Sequence, residues 1–489
     1  MKFTCVHPAR ALAAKSNFSS TENCLNYSSL LASYATNLKF ADLPDDVILQ
    51  AKLLTLHVLS VSLAARDTEQ GNNALVLARG MGGDAAEATI WGDSKKVSAV
   101  QAAFANGTLA DVLDWEDCSW TGHPSAGAIP AAFAAAEKSG ASGQDYITAI
   151  VAGYEVYQRI AMAVQPTHEN YMKTGWGLTS WQIFAASVPA AKLLTDSEQQ
   201  MRQAIGISGV MTPIVNRKIQ LDRSDMYHYQ HGLTSRDGVV AAEIARSGIT
   251  GLEDVLDGDH GYWVTISDQC DWDWMAKGLG EEFLIMQTLF KRWPVNMWVQ
   301  QFLDMTDDIR RTESFAVDDV DSITVTPNFQ KTQGASRMIV RPDGFLSTTD
   351  AQFSIPFCIA QFLLDPNPGA DWFRPESLQD QRAIKLAGKV VGAGDMTSPL
   401  EAFALFQAGD YIEASIEISL NDGRTIERHM HYPKGHPKNR MSENELADIF
   451  RHTAKSTMSV DRIEQTIEAV LDLDRQSSLD DVAKLLRPD

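Results

Sequence analysis

The chain has 489 residues, 44% of them hydrophobic and 21% charged, which is typical of a globular protein large enough for more than one domain. Its net charge of −21 excludes nucleic acids and anionic membranes as expected partners, because both are bound through basic surfaces. The five cysteines contain no Cys-x-x-Cys pair, so we expect neither a zinc site nor an iron–sulfur cluster.

The N-terminal segment, residues 1–25, carries three basic residues and no acidic residue before Glu22. It has a faint transit-peptide character and lacks the apolar core of a secretory signal. No run along the chain approaches the roughly 18 apolar residues of a membrane span. We therefore expect a poorly ordered segment over residues 1–25 of a cytoplasmic protein, with a mitochondrial location as the alternative.

The next part of the chain, residues 26–304, is rich in alanine and has helical periodicity. Pro44-Asp45-Asp46 indicates a helix start, because acidic residues occupy the first turn and apolar residues follow at helical spacing. Further apolar runs at this spacing cover residues 100–112, 126–137, 146–162, 181–194 and 238–246. Several of these runs are apolar on all sides, which predicts helices buried in an all-helical core.

The stretch of residues 105–124 contains a polar loop between two of these helical runs. Within ten residues it holds Asp114, Glu116, Asp117 and His123, and it closes on Gly122-His123-Pro124. Loops held between rigid helices often carry functional side chains. Such acids are also common as solvated or helix-capping residues, so the pattern alone leaves both interpretations open.

The pattern changes near residue 305, where apolar and polar side chains begin to alternate as they do in strands. The alternation is clearest over residues 411–420, and Asn421-Asp422-Gly423 then provides the residues of a tight hairpin turn. The predicted strands are residues 320–326, 411–420 and 425–431, with an apolar helix over residues 351–364 between them.

These patterns predict a mainly α protein with two domains. A large all-helical domain covers residues 26–304 and 433–489, and a smaller α+β lid domain, residues 305–432, is inserted into it. Helical periodicity resumes after the insertion, where Ser442 and Glu445 have the spacing of a capping box and residues 460–473 form another helix.

Six segments, in a fixed order and spread over nearly the whole chain, share their residues with one known family. They are ATIWGDSKKVSAVQAAFANGTLADVLDWED from Ala88, Gly122-His123-Pro124-Ser125, Gly153-Tyr154-Glu155-Val156, HGLTSRDGVVAAEIARSGITG from His231, Phe290-Lys291-Arg292-Trp293-Pro294 and Tyr432-Pro433-Lys434-Gly435-His436-Pro437. In these segments the chain resembles the MmgE/PrpD family, which includes 2-methylcitrate dehydratases, cis-aconitate decarboxylases and iminodisuccinate epimerases. The resemblance implies a helical domain and a lid with the site between them, and a homodimer.

The resemblance also implies three catalytic residues. Asp114 and His123 match the acidic residue and the histidine of the family's first active-site motif, and Lys291 matches an active-site lysine. The family's reactions make or break a bond at a carbon next to a carboxylate, so they need an acid or base and cations that hold carboxylates. We expect His123 to be the acid or base, Asp114 to orient it or share its proton, and Lys291 to bind a carboxylate. We expect Glu116 and Asp117 to be structural.

The chain departs from the family pattern at five positions. Gly177 and Asn296 replace histidines, Tyr227 replaces a lysine, Phe357 replaces a tyrosine, and Cys118 replaces a threonine or a similar polar residue. Several proton-transfer or anion-holding groups are therefore missing, which predicts an altered substrate. Tyr227 and His228 are predicted substrate contacts, and either is a candidate to carry a proton in place of the lysine.

Tryptophans gather in three segments that the resemblance brings to one cleft. Six of the eleven tryptophans lie there, namely Trp115, Trp120, Trp176, Trp181, Trp293 and Trp298. Aromatic walls with few cations suit a substrate that is bulkier and less charged than a tricarboxylate. We predict substrate contacts at Trp115, Trp176, Trp293 and Asn296, and an alkyl-substituted acid as the substrate.

The favoured hypothesis is a cofactor-independent lyase that dehydrates a 2-methylcitrate-like or alkyl-substituted hydroxy-carboxylate. An isomerase or epimerase, and a decarboxylase, acting on a related acid are alternatives with the same fold. A catalytically inactive binding protein is a further alternative, prompted by the missing family residues. The expected partners are a small carboxylate and a second copy of the chain, with no nucleic acid, membrane or metal.

Overall fold

The computed structural model describes residues 26–488 except residues 82, 176–177, 214–223, 330–336, 395–403 and 406–407. Over this range the protein is mainly helical, as the sequence predicts. Three predictions lie outside the described residues: the poorly ordered segment at residues 1–25, the substrate contact Trp176 and the substituted position Gly177.

The first half of the chain is a packed array of helices. They are Tyr27–Asn37, Asp45–Ala65, Glu69–Met81, Ala99–Asp111, Pro124–Ser139, Gly143–Ala163, His168–Thr174, Leu178–Leu194, Glu198–Met211 and Met226–Arg246. Each of the five predicted apolar runs lies in one of these helices to within a residue. Most of their side chains are buried on every face, which confirms the inference from their all-round apolar composition.

One of these helices, Met226–Arg246, begins twelve residues before the predicted apolar run. Its first half carries buried polar side chains, among them His228, His231 and Ser235, at the spacing of one helix face. The first half of the helix lacks apolar periodicity because this face packs against polar groups of the candidate active site. The early part of the helix was therefore not visible as an apolar pattern.

Helix Asp45–Ala65 is long and apolar enough to cross a membrane by length and composition, although the sequence analysis predicts no membrane span. Of its most apolar 18-residue window, 83% is buried inside the protein. Its neighbours include the C-terminal helices Glu443–Ala454 and Val460–Leu471. This burial is that of a core helix of a globular protein.

The second half of the chain contains a four-stranded sheet. In spatial order its strands are Val390–Gly392, Val320–Thr326, Ala414–Leu420 and Thr425–Met430, and the first pair is parallel while the others are antiparallel. The predicted hairpin around Asn421-Asp422-Gly423 is confirmed. Strand Val390–Gly392 was missed because three residues are too few to show alternation.

The remaining helices are mostly short. They are Trp263–Ile266, Asp273–Ala276, Gln300–Thr312, Thr348–Gln352, Ile355–Leu364, Pro375–Leu378, Gln381–Ala387, Glu443–Ala454, Val460–Leu471 and Leu479–Leu485. Short 3₁₀ helices cover Phe40–Asp42, Leu284–Gln287, Met297–Val299, Val317–Asp319, Ala370–Phe373 and Leu473–Arg475, and a two-stranded ribbon pairs Ala88–Thr89 with Lys96–Val97.

Two sequence predictions in this part differ in outcome. The prediction of a single helix over residues 351–364 is wrong, because the helix is interrupted at Phe353 and Ser354. The Ser354 hydroxyl caps the second helix by accepting the Phe357 N–H at 3.0 Å. The capping box is confirmed, since Ser442 and Glu445 exchange hydrogen bonds at the start of helix Glu443–Ala454.

Candidate active site

The polar loop found in the sequence follows the end of helix Ala99–Asp111 and leads into helix Pro124–Ser139. Asp114 turns the chain with a φ of +48°, a left-handed conformation that aspartate tolerates better than most residues do. The carboxylates of Asp111, Asp114, Glu116 and Asp117 are all fully buried. Buried carboxylates need charged or hydrogen-bonding partners. The partners of each carboxylate therefore indicate its role in the loop.

Lys291 reaches this loop from a distant segment of the chain. The backbones of Cys118 and Leu289 exchange two hydrogen bonds of 2.8 Å, which places Lys291 opposite the acids. Its ammonium contacts Asp114 and lies 3.0 Å from Glu116 Oε1. Burial alone would lower the pKa of Lys291, but these two carboxylates raise it well above its usual value. Lys291 is a buried cation whose single charge faces two carboxylates.

His123 is held by two carboxylates through the same ring nitrogen. Its Nδ1 contacts Glu116 Oε1 and lies 3.2 Å from Asp111 Oδ1. Burial and the charge of Lys291 act to lower the pKa of His123, yet Glu116 and Asp111 outweigh them and raise it. Burial likewise raises the pKa of Glu116. The pair holds a proton at neutral pH, and His123 Nε2 makes no hydrogen bond within the described part of the chain.

Asp111 is shared by three histidines. Its Oδ2 lies 2.6 Å from His228 Nδ1, and its Oδ1 lies 3.5 Å from His231 Nε2 as well as near His123. Burial acts to raise the pKa of Asp111, but the three imidazoles hold it well below its usual value. The same carboxylate raises the pKa of His228 against the effect of burial. Asp111 therefore links His228 to His123 and His231, whose ring centres lie 5.2 Å apart.

Two further contacts complete this arrangement. Gln182 donates its amide N–H to the His123 carbonyl at 2.7 Å and accepts from His231 Nδ1 at 2.5 Å, which assigns the His231 proton to Nδ1. Burial lowers the pKa of His231 to about 3, so this ring stays neutral. Thr349, from the second half of the chain, lies 3.1 Å from His228 Nε2.

Close packing of two helices makes these contacts possible. A Cβ at Gly232 would lie 2.0 Å from Thr108 Oγ1 and 2.5 Å from the Phe104 carbonyl. Helices Ala99–Asp111 and Met226–Arg246 can approach this closely only because residue 232 has no side chain. The approach brings Asp111, at the end of the first helix, within reach of the histidines on the second.

The residual exposure of the side chains shows where a ligand can touch this cluster. Lys291, Asp114 and Glu116 are 0% exposed, whereas His123 and Tyr227 keep 6% and 7%. Tyr227 packs edge-on against the rings of His228 and Phe353, and its hydroxyl makes no hydrogen bond to a described residue. The groups available to a ligand are therefore on His123 and Tyr227.

The structure brings most of the predicted site residues together, but with changed roles. Asp114, His123, Lys291, Tyr227 and His228 all lie in or beside the cluster. Asn296 lies outside it: its side chain accepts the Trp298 N–H at 3.5 Å and caps a short helix. Glu116, expected to be structural, contacts both His123 and Lys291.

The tryptophans of the predicted aromatic wall that the structure describes are buried in packing contacts. Trp293 donates to Asp304 at 2.9 Å, stacks under Arg292 and packs edge-on against Phe362. Trp115 is fully buried within the loop itself. Trp181 donates to the Thr121 carbonyl at 2.8 Å, and Trp298 packs near Phe329 and Tyr411. These are core contacts, because the size of an indole favours burial in the interior as much as in a pocket.

The other departures from the family pattern are buried apolar positions. Phe357 packs 4.9 Å from the ring of Phe345. Cys118 is buried, and burial raises the pKa of its thiol above the usual range, so it does not form a thiolate at neutral pH. Asp117, expected to be structural, accepts hydrogen bonds from Ser125 N–H at 3.1 Å and Tyr154 at 2.9 Å.

Four residues of the cluster were not identified from the sequence: Asp111, His231, Gln182 and Thr349. The spacing of His228 and His231 on one helix face was an available signal. Asp111 lies one turn before Asp114, at the end of an apolar run where a carboxylate is unusual. Gln182 and Thr349 carry no comparable signal, since single polar residues at helix positions are common.

Asp111, Glu116 and His123 are the residues that could hold a metal ion, since each offers one ligand atom and these atoms lie within 4.8 Å of one another. The Lys291 ammonium lies 3.0 Å from the same Glu116 oxygen and would repel a bound cation. The donor set therefore fits a proton better than a metal ion.

His57 contacts the backbone of Lys291. Its burial predicts that the stability of the protein depends on pH. Its Nε2 lies 3.0 Å from the Lys291 carbonyl, and burial lowers its pKa from the usual 6.5 to about 3. The neutral ring therefore contributes stability above pH 6.5 that is lost as the pH falls toward 3. Between pH 7 and pH 5 this residue should lower the free energy of unfolding by about 2 kcal/mol.

Denaturant unfolding of the wild type and of His57→Gln at both pH values measures this effect. The amide of glutamine can still donate to the Lys291 carbonyl but does not titrate. We expect the difference in unfolding free energy between pH 7 and pH 5 to be smaller in the variant by about 2 kcal/mol. Equal pH dependence in the two proteins would contradict a buried neutral His57.

Family models match both halves of the chain. The model of the MmgE/PrpD N-terminal domain matches residues 29–275, and that of the MmgE/PrpD C-terminal domain matches residues 293–474. The cis-aconitate decarboxylase-like protein oryM of Aspergillus oryzae is 24% identical, over 94% of this chain and 97% of its own. The cis-aconitate decarboxylases of Homo sapiens and Aspergillus terreus are 23% and 21% identical, over 91% and 93% of this chain and 92% and 94% of theirs.

Proposed function

The chain belongs to the MmgE/PrpD family, and from this premise we propose that it is a cofactor-independent lyase acting on a small organic acid at a carbon next to a carboxylate. His123, held by Asp111 and Glu116 beside a buried Lys291, is the observation that carries the proposal. Such a group can deliver or accept a proton at carbon, and its neighbours hold it in one orientation.

The leading reaction is decarboxylation of an unsaturated acid. In this reaction the bond between carbon and the departing carboxylate breaks, carbon dioxide leaves, and the electron pair spreads onto a remaining carboxylate through the double bond. His123 then gives its Nε2 proton to the carbanionic carbon. The raised pKa of His123 supports this assignment, because the ring enters the reaction as an acid at neutral pH. All three relatives named above carry decarboxylase names.

Dehydration, the reaction favoured by the sequence analysis, is the second candidate. It needs a base that removes a proton next to a carboxylate and an acid that protonates the departing hydroxyl. Burial raises the pKa of Glu116 to about 7, so this carboxyl can exchange a proton with His123 near neutral pH. Epimerisation would use the same pair without loss of a group.

The structure supports a different role for Lys291 from the one predicted. A carboxylate-binding lysine needs an accessible ammonium, but this one is fully buried and faces Asp114 and Glu116. We therefore propose that Lys291 neutralises the buried charges of Asp114 and Glu116. Asp114, whose carboxylate contacts the ammonium, positions this cation.

The expectations about assembly and location remain proposals. We propose that the α+β domain, residues 305–432, acts as a lid over the helical domain formed by residues 26–304 and 433–489. Thr349 supports this arrangement by contacting His228 across the two parts. A homodimer and a cytoplasmic location complete the proposal.

The deciding experiment incubates the protein with cis-aconitate, 2-methylcitrate and alkyl-substituted homologues and follows the products by mass spectrometry. A product lighter by carbon dioxide supports the carboxy-lyase, and one lighter by water supports the dehydratase. In deuterated water, a substrate of unchanged composition that gains deuterium indicates an epimerase. If no acid is changed and a ligand is recovered intact, the proposed lyase is excluded in favour of a binding protein.

A further inference from the structure

The shortest contact of the Asp111 carboxylate is with His228. The Nδ1 of this ring lies 2.6 Å from Asp111 Oδ2, as in a short charge-assisted hydrogen bond. His231 does not hold Asp111 in this way, because its ring proton is on Nδ1, toward Gln182, and a lone pair of Nε2 faces Asp111 Oδ1 at 3.5 Å. His228 is therefore the donor that orients the carboxylate beside His123, whose Nδ1 lies 3.2 Å from the other oxygen.

The second nitrogen of His228 is held by the other half of the chain. Thr349 Oγ1 lies 3.1 Å from His228 Nε2, and both residues are buried. Because Nδ1 donates to Asp111, Nε2 accepts the threonine proton when the ring is neutral and donates to the threonine oxygen when the ring is charged. A hydroxyl can do either, so Thr349 holds the ring in both protonation states.

The helix that carries Thr349 has a second anchor next to Asp111. In helix Thr348–Gln352 the amide of Gln352 donates to the Val112 carbonyl at 3.0 Å, and Val112 directly follows Asp111. Gln352 is fully buried, so water does not compete for this hydrogen bond. The helix therefore contacts the surroundings of Asp111 at two points, one through a histidine ring and one through the backbone.

We propose that His228 is a positioning residue, which holds Asp111 in the orientation that supports His123, the proposed acid. Helix Thr348–Gln352 completes this support, so His123 is aligned only while the helix is in contact. The inference rests on the proposed function and deepens it, because it makes the proposed lid a part of the support of the acid. A misplacement of about 1 Å can lower a rate about 100-fold, so a group that only orients the acid has a measurable effect.

Variants at the two ends of this contact test the inference by kinetics. His228→Leu removes both hydrogen bonds of the ring, and Thr349→Val removes only the hydroxyl. With an acid that the wild type turns over, His228→Leu should lower kcat about 10- to 100-fold, and Thr349→Val should lower it by a smaller factor. Thr349→Ser, which keeps the hydroxyl, should retain most of the wild-type kcat. A higher KM with unchanged kcat in His228→Leu would make His228 a substrate contact and overturn the positioning role.

A spectroscopic test needs no substrate. In protein with isotope-labelled histidine, a ring N–H in a short hydrogen bond to a carboxylate gives a proton resonance far downfield of other ring signals. The signal of the His123 Nδ1 proton is assigned by its absence from His123→Ala. We expect His228→Leu and Thr349→Val to shift this signal, because the Asp111 carboxylate then changes its orientation toward His123.

Thr348→Val is the matched control for Thr349→Val. Thr348 is the neighbouring buried threonine, and its hydroxyl makes no hydrogen bond within the described part of the chain. This variant should keep both kcat and the His123 signal of the wild type. Circular dichroism and thermal unfolding show whether each variant is folded. Thr349→Val and Thr349→Ser keep the test decisive if His228→Leu does not fold.

The outcomes separate this inference from the proposed function. If the wild type turns over an acid and folded Thr349→Val keeps both its kcat and its His123 signal, the positioning role is wrong and the lyase stands. If no acid is turned over but the His123 signal shifts as expected, the lyase is wrong and the support of His123 by the helix stands. In an active enzyme, a shifted signal with undiminished kcat also overturns the positioning role.

Discussion

Replacing His123 by alanine is expected to lower kcat about 10²- to 10⁴-fold, the usual contribution of a positioned acid or base. The ring keeps 6% exposure beside fully buried acids, and its Nδ1 is already engaged by Glu116 and Asp111. Its Nε2 is therefore the atom left to exchange a proton with substrate. The effect should fall on kcat, because the variant removes the proton donor and keeps the other side chains of the site.

His429→Ala is the matched control for this variant. His429 also contacts a glutamate, at 3.0 Å from Glu427, but its side chain is 72% exposed on the sheet. Removing it should leave kcat unchanged. Product formation followed by mass spectrometry or continuous absorbance gives the rates, and circular dichroism checks the folds. Undiminished kcat in folded His123→Ala would remove His123 from the mechanism.

Replacing Lys291 by methionine is expected to lower the free energy of unfolding by about 3–5 kcal/mol, the usual cost of removing one partner of a buried ion pair. The change keeps most of the side-chain volume but leaves Asp114 and Glu116 as buried acids without their cation. These carboxyls would have to take up protons or admit water. A loss of this size is a large fraction of the 5–15 kcal/mol that stabilises a typical protein, as a rough guide.

Lys138 offers a matched control for the effect of burial. It also contacts two glutamates, Glu87 at 3.0 Å and Glu243 at 2.6 Å, but solvent reaches all three side chains. Lys138→Met should therefore cost roughly 0–1 kcal/mol in denaturant unfolding. The ion pair at Lys291 differs because no water screens it.

A triple variant separates charge from packing at this position. In Lys291→Met/Asp114→Asn/Glu116→Gln the buried charges are removed together, so much of the lost stability should return although activity does not. If Lys291→Met were as stable as Lys138→Met, the proposal that Lys291 neutralises the two acids would have to be abandoned.

Some elements of this fold can be predicted from sequence patterns, and others cannot. Strand Val320–Thr326 and the hairpin after Leu420 were predicted from alternation and turn residues, because a half-buried sheet repeats every two residues. The first half of helix Met226–Arg246 and the break at Phe353 and Ser354 were not predicted. Both depend on neighbouring chain segments, since polar side chains there are buried against partners that the local sequence does not contain.

The same distinction applies to the candidate site. The sequence by itself determined the family, the mainly helical fold and the loop that carries Asp114 and His123, because these depend on residue order and local periodicity. Only the tertiary structure decided that Asp111 and Glu116 bind His123. It also decided that Lys291, 177 residues along the chain from Asp114, is the buried counter-ion of Asp114. The protonation of a buried group depends on its distances from charges that folding brings together. The spacing of residues along the chain does not give these distances.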